Sequence, residues 1–318
     1  MRDQNFAIGV DIGATKIASV LVDGFGKILA SDYRLTALPS DEDGILDRIA
    51  ASIQSVMGIR NDISGIGIDV PGVVNPTRGA VENAVNLGWE GVALREEVKK
   101  RIYTDTPIYL ERDTYAQTLG EYFYGSAQGA ENYVYLGIGS GLGAGAMING
   151  RLLEGNNRAA LEIGHLGLTG LTRACACGKV GCAETLLSGS GMVKTYLSPD
   201  WEANLIPEAQ GLLQLSPQDI LVRAQKGEAR AQKLVDEFGK YLGEVISDLL
   251  MILNPSLVVM GGGLGVPAFN QVESQMWDEI RRRSMPENYQ KLSIVGSTLE
   301  SSALGAASLV RYSQKLSL

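Results

Sequence analysis

The chain has one histidine and three cysteines, and all four fall in one stretch, from His165 through Cys175 and Cys177 to Cys182. Three thiolates and one imidazole make a complete tetrahedral donor set for Zn2+. One residue separates Cys175 from Cys177, and Gly178 and Gly181 let the chain fold back to bring in Cys182. A Cys3His set leaves no position open for water or substrate, so the spacing predicts a structural ion that keeps this loop rigid. Ordinary buried cysteines have no reason to gather around the only histidine, and there is no Cys-x-x-Cys pair to indicate a redox role. Zinc names no reaction by itself. The loop also carries two acids, Glu162 three residues before His165 and Glu184 two residues after Cys182. Carboxylates fixed by a metal loop suit bidentate hydrogen bonding to sugar hydroxyls; the competing reading is solvated surface charge.

Two glycine turns are the next candidates. In Asp11-Ile12-Gly13-Ala14-Thr15-Lys16, Gly13 lets the backbone approach an anion, Thr15 and Lys16 add a hydroxyl and a charge, and Asp11 can hold a hydrated Mg2+. Such turns also close hairpins that bind nothing, and the segment is not a Walker A loop. In Gly139-Ser140-Gly141-Leu142-Gly143 the glycines lead into a strand pattern, whereas a dinucleotide fingerprint leads into a helix. That favours a second phosphate-binding hairpin with backbone donors aimed at β- and γ-phosphates. Asp113 precedes a helical pattern, where a carboxylate can cap the helix or accept a proton from a bound alcohol. The sequence leaves both readings open.

The elements that must position these residues follow from periodicity. Phe6 to Ala30 reads strand, glycine turn, strand, turn at Asp23-Gly24, strand; Val134 to Leu153 repeats the plan with its second turn at Asn149-Gly150. This is an internal duplication roughly 125 residues apart, and it implies two related α/β halves. Between them lie an amphipathic helix over 45–57, opened by Ser40 and Asp43, and a second over 114–124. Ser216-Pro217 caps another, and a long helix over 228–253 is stopped by Asn254-Pro255. Leu257–Met260 reads as a buried strand running into Gly261-Gly262-Gly263, and helices near 268–283 and 303–314 close the chain. The domain boundary is expected near residue 113, as a tight hinge.

Composition sets outer limits. With 318 residues the chain can hold two domains, and its 45% hydrophobic and 20% charged residues are those of a soluble globular protein. A net charge of -8 argues against nucleic-acid and anionic-membrane partners, but not against phosphorylated ligands held by local N–H groups. The longest apolar run, 246–260, is broken by Asn254-Pro255. The N-terminus does not read as a signal peptide, so three cysteines fit a reducing cytoplasm.

Taken together these motifs resemble the ROK family of sugar kinases and sugar-responsive repressors, over nearly the whole chain. Glu162-Ile-Gly-His165 with Cys175-Ala-Cys177-Gly-Lys-Val-Gly-Cys182-Ala-Glu184 is similar to the family's zinc signature without a gap. Asp11 to Lys16 resembles its Asp-x-Gly-Gly-Thr-Lys motif with Ala14 for the second glycine, and Gly139 to Gly143 its Gly-Thr-Gly-x-Gly motif with Ser140 for threonine. Gly261-Gly262-Gly263 matches an adenosine-side turn.

The resemblance implies an actin-like ATPase (ribonuclease H-like) fold: two duplicated α/β domains with ligands in the cleft. The smaller domain would comprise 1–113 plus 301–318, and the larger 114–300 with the zinc loop. It implies a glucokinase-like enzyme that transfers phosphoryl from MgATP to a hexose or amino sugar, with structural Zn2+, in a homodimer. Asp113 would be the base. Asp11, Gly13, Thr15, Lys16, Gly139, Ser140, Gly141, Gly143, Gly262 and Gly263 would serve ATP. Gly72, Asn86, Arg112, Glu162, His165 and Glu184 would line the sugar, with His165 also on zinc beside Cys175, Cys177 and Cys182. One departure stands out: Arg112 occupies the place of the family's usual asparagine before Asp113, and an arginine cannot accept a hydrogen bond. Either it points away from the sugar or the substrate differs from glucose. The alternative function is a non-catalytic sugar sensor. The family's repressors carry an N-terminal winged helix, whereas here the hairpin pattern begins at residue 6. Polyphosphate is the alternative donor.

Overall fold

A strand covered on both faces must be apolar along its whole length, and one at a sheet edge needs only alternate positions covered. The first three strands show both cases. β1 (Phe6–Ile12) is buried throughout, β2 (Lys16–Val22) is buried after its first residue, and β3 (Ile28–Leu35) alternates between half-buried and exposed. They pair antiparallel in sequence order. The computed structural model describes residues 5–36, 41–60, 62–198 and 215–316. They divide into two compact units, one of residues 1–129 and 298–318, the other of 130–297.

In the first unit, α1 (Glu42–Met57) buries Ile45, Leu46, Ile49, Ile53 and Val56, one face of a 3.6-residue repeat. Its cap is Asp41, which accepts from the Gly44 amide; the expected opening by Asp43 falls inside the helix, and Ser40 lies outside the described residues. The helix returns the chain to β4 (Ile63–Val70), parallel to β1. A small antiparallel sheet follows, from β5 (Val73–Asn75), β6 (Ala80–Ala84) and β7 (Trp89–Val92). Then α2 (Leu94–Ile102) leads to β8 (Ile108–Arg112), parallel to β4, and the chain enters α3 (Asp113–Phe123). The sheet order is β3-β2-β1-β4-β8.

The second unit repeats that order. β9 (Tyr133–Ile138), β10 (Leu142–Ile148) and β11 (Arg151–Leu152) form an antiparallel meander, with Asn149 and Gly150 both at positive φ in the last turn. After α4 (Gly189–Leu197), α5 (Pro217–Gln225) and α6 (Ala229–Leu253) come β12 (Leu257–Gly261), α7 (Gly262–Arg283), α8 (Pro286–Tyr289) and β13 (Ser293–Gly296). The order is β11-β10-β9-β12-β13, with the last two pairings parallel. Ser216 and Asp219 form a reciprocal capping box with Pro217 in the first turn of α5, and α6 ends at Asn254, which takes a left-handed conformation.

α7 begins at Gly262, not near residue 268. The glycines and Pro267 look like breakers in the sequence, but Gly262 turns at φ +83, where a Cβ would run into the Ile138 carbonyl. Pro267 cannot donate to the Gly263 carbonyl four residues back, and Gln218 Nε2 donates to that oxygen instead at 2.8 Å.

The chain ends in α9 (Ala303–Leu316), which belongs to the first unit. Its small residues allow backbone contact: a Cβ on Gly9 or Gly67 would collide with the Ala303 or Ala306 carbonyl. A Cβ on Gly120 of α3 would likewise come within 2.8 Å of Gly305. This is why α3 groups with the first unit and the division falls after Gly129, where periodicity suggested residue 113. No helix among the described residues is long and apolar enough to cross a membrane.

Candidate functional site

In the first unit the parallel register sets Asp11, Asp69 and Glu111 side by side on β1, β4 and β8. Each lies near the C-terminal end of its strand, and all three are buried. Ser302 Oγ donates to Asp11 Oδ2. Gln117 Nε2 donates to Asp69 Oδ2 at 3.3 Å and to the Ser302 carbonyl at 2.8 Å. Asp69 Oδ1 is buried with no hydrogen-bond partner. Burial, then the neighbouring charges of Asp11 and Asp113, hold the Asp69 carboxyl well above the ordinary carboxylate range.

Asp113 is the first residue of α3 rather than its cap, which is Arg112. Its Oδ1 accepts from the Thr114 amide at 2.7 Å, and Gln117 lies one helical turn on. Arg112 does not extend from the strand end. Its guanidinium lies 3.7 Å from the ring centre of buried Tyr115.

The first hairpin uses part of its polarity internally. The Gly13 amide donates to Lys16 O at 2.8 Å, and Thr36 ties the loop down by donating to the carbonyls of Gly13 and Thr15. An anion here would therefore be met by Thr15 and Lys16, both exposed. Gly72 follows β4 at φ +104 against the Asn83 carbonyl, and Asn86 sits exposed on the turn Val85–Leu87.

In the second unit the structure gathers the metal candidates. The donor atoms of His165, Cys175, Cys177 and Cys182 all lie within 4.8 Å of one another. Cys177 and Cys182 sulfurs are 3.6 Å apart, and Cys175 Sγ is 3.8 Å from His165 Nδ1. Zinc with arms of about 2.3 Å has tetrahedral edges of roughly 3.8 Å, so the set fits the ion. Gly178 and Gly181 both take positive φ, and at Gly181 a side chain would strike the Leu171 carbonyl. Burial and the adjacent sulfurs push the Cys182 thiol up to about 12, a cost that a bound cation removes.

The second hairpin stands against this knuckle. Leu142 N donates to Glu184 Oε2 at 2.9 Å. Gly189 N donates to Gly139 O at 2.7 Å, and Ser190 Oγ to Ser140 O at 2.8 Å. Gly262 meets Ile138, so the β12–α7 junction with Gly263 adjoins the same hairpin; Gly143 follows it in β10. Glu162 is exposed at the turn Ile163–His165.

Sequence reasoning passed over Asp69, Gln117 and Ser302. A lone acid in Ile66-Gly67-Ile68-Asp69-Val70 was a signal, because an apolar strand does not bury a carboxylate without use for it.

Two five-stranded sheets of one order, each with a glycine hairpin between its first two strands, define an actin-like ATPase fold. A glucokinase from Streptomyces griseus, solved with glucose and AMPPNP, superimposes with a TM-score of 0.79 at 29% identity, covering 97% of this chain and 100% of that one. The ROK family profile matches residues 7–313, and the chain belongs to the ROK family. It is 34% identical to a glucokinase of Streptomyces coelicolor over 266 residues, 81% of each chain. It is 28% identical to a xylose repressor of Caldicellulosiruptor bescii, over 97% of this chain and 79% of that one.

Proposed function

We propose that this protein is an ATP-dependent hexose kinase of glucokinase type. The observation that carries the reading is Asp113, the first residue of α3, beside a buried carboxyl pair in a chain similar end to end to a glucokinase holding glucose and AMPPNP. In this reading the Asp113 carboxylate accepts the proton of a sugar hydroxyl as that oxygen bonds to the γ-phosphorus. The bond to the β-phosphate oxygen breaks, and ADP leaves with its electron pair. Thr15, Lys16 and the Gly139–Gly143 hairpin hold phosphates, with Gly262 and Gly263 on the nucleotide side. Asp11 holds hydrated Mg2+, which when bound neutralises charge on the transferring group. Glu162, His165 and Glu184, with Gly72 and Asn86, line the sugar. Zn2+ is structural. The enzyme works in the cytoplasm as a homodimer, with ATP as donor and polyphosphate as the alternative.

Coupled ADP release with MgATP, against hexoses, amino sugars and uronic acids, tests this. Turnover on a sugar should fall by about 10²–10⁴ in Asp113→Asn while sugar binding persists. Sugar binding without turnover on any member overturns it in favour of a non-catalytic sensor. That second reading draws on the repressor relative and on Arg112 laid against Tyr115.

A further inference from the structure

We propose that Glu184 is a positioning residue that ties the phosphate hairpin to the metal knuckle, so that nucleotide binding depends on the knuckle even when no sugar is present. This rests on the reading of Gly139–Gly143 as a phosphate site.

The connection is short and entirely within the second unit. Cys182 is a buried metal candidate, and Glu184 follows two residues later in the turn Ala183–Thr185. Its Oε2 accepts the amide of Leu142, the first residue of β10 and the far rim of the hairpin. A carboxylate on a backbone N–H is a charge-assisted bond, stronger than an ordinary one. The near rim is held from the same segment, by Gly189 N on Gly139 O and Ser190 Oγ on Ser140 O. All three bonds thus come from the seven residues Glu184–Ser190, which begin two residues after Cys182.

The packing leaves no slack along this path. A Cβ on Gly141 would come within 2.6 Å of Glu184 Oε2, and one on Gly164 would strike the Leu142 carbonyl. On Gly191 it would come within 2.8 Å of the Glu184 carbonyl. Gly141, Gly164 and Gly191 thus each stand at a close approach along this path. The role is distinct from lining a sugar. Oε2 is committed to the backbone, so a bidentate grip on a sugar would have to give up the Leu142 amide.

The test is residue-resolved hydrogen exchange at Leu142 in the zinc-loaded enzyme without ligands, with AMPPNP affinity measured by calorimetry without sugar. Glu184→Ala should speed exchange at Leu142 and weaken AMPPNP, each by about tenfold. Glu184→Gln, which keeps an acceptor oxygen, should restore both. Stripping zinc from the wild type should speed the same amide. If Glu184→Ala proves unstable, Gly141→Ala displaces the carboxylate while leaving it present and should speed exchange likewise. Unchanged exchange and AMPPNP affinity in Glu184→Ala, with only the sugar KM raised, overturns the proposal. If the wild type fails to bind AMPPNP, the kinase reading fails, and exchange at Leu142 still decides whether the tie exists.

Discussion

The two units share a sheet plan and differ in what they place at the same register. Ile12 and Ile138 end their first strands, Lys16 and Leu142 begin their second, and both hairpins have three-residue links. In the first unit Asp11 pairs with Asp69; at the matching place in the second, Gly137 pairs with Gly261. One unit packs carboxyls where the other packs bare backbone. The space is filled in opposite ways. Gly9 and Gly67 let α9 lie directly on the first sheet, whereas Tyr135 covers the glycine pair of the second: a Cβ on Gly137 would come within 3.1 Å of its ring, and one on Gly261 would enter it. The hairpins are also held differently, the first by Thr36 and the second by Glu184, two residues after Cys182. The two sheets share one frame for two glycine hairpins, and they differ in that one carries the buried acids and the other leans on the Cys3His cluster.

That contrast can be broken experimentally. The largest effect is expected from Cys182→Ser, which should abolish zinc retention by metal analysis and cost about 4 kcal/mol of stability. Hydrogen exchange should rise at 139–143 and not at 13–15; an equal rise in both would mean that the hairpins are not separately supported. Gly261→Ala comes next. Its methyl must displace buried Tyr135, costing about 1–3 kcal/mol in denaturant melts, and a silent result would remove the steric half of the contrast. The smallest effect belongs to Asp69→Asn. The native state keeps a proton on Asp69 that the unfolded chain releases above its ordinary 3.8, so this group lowers stability as pH rises through that range. The asparagine variant should match the wild type near pH 4 and become the more stable of the two towards neutrality. A parallel pair of pH–stability curves would show that Asp69 is ionised in the fold.

Much of this was legible because it is local. The hairpin pair repeats a pattern of apolar runs and turns, and the four metal candidates are close in sequence. Asp113 at a helix start and the capping box at Ser216 are short-range signals too. What escaped depends on partners distant in the chain. Asp69 acquires meaning only when register puts it beside Asp11, and its neighbour Gln117 is anchored to Ser302. The start of α7 was obscured because Gly263 and Pro267 weaken a helix locally, and the compensating donor, Gln218, lies on another element. The compact units divide after Gly129 because α3 packs on α9, a contact that nothing near residue 113 announces. Arg112 could be flagged as a departure from the sequence, but its stacking on Tyr115 is a matter of rotamer.

The return of α9 to the first unit has a consequence for the order of synthesis. β1 and β4 leave the ribosome early, but the face marked by Gly9 and Gly67 has its cover encoded after residue 297. All of the second unit is translated before that cover arrives. The half that is made first is therefore the half completed last, and Asp11 gains its Ser302 hydrogen bond only after the second unit has been made.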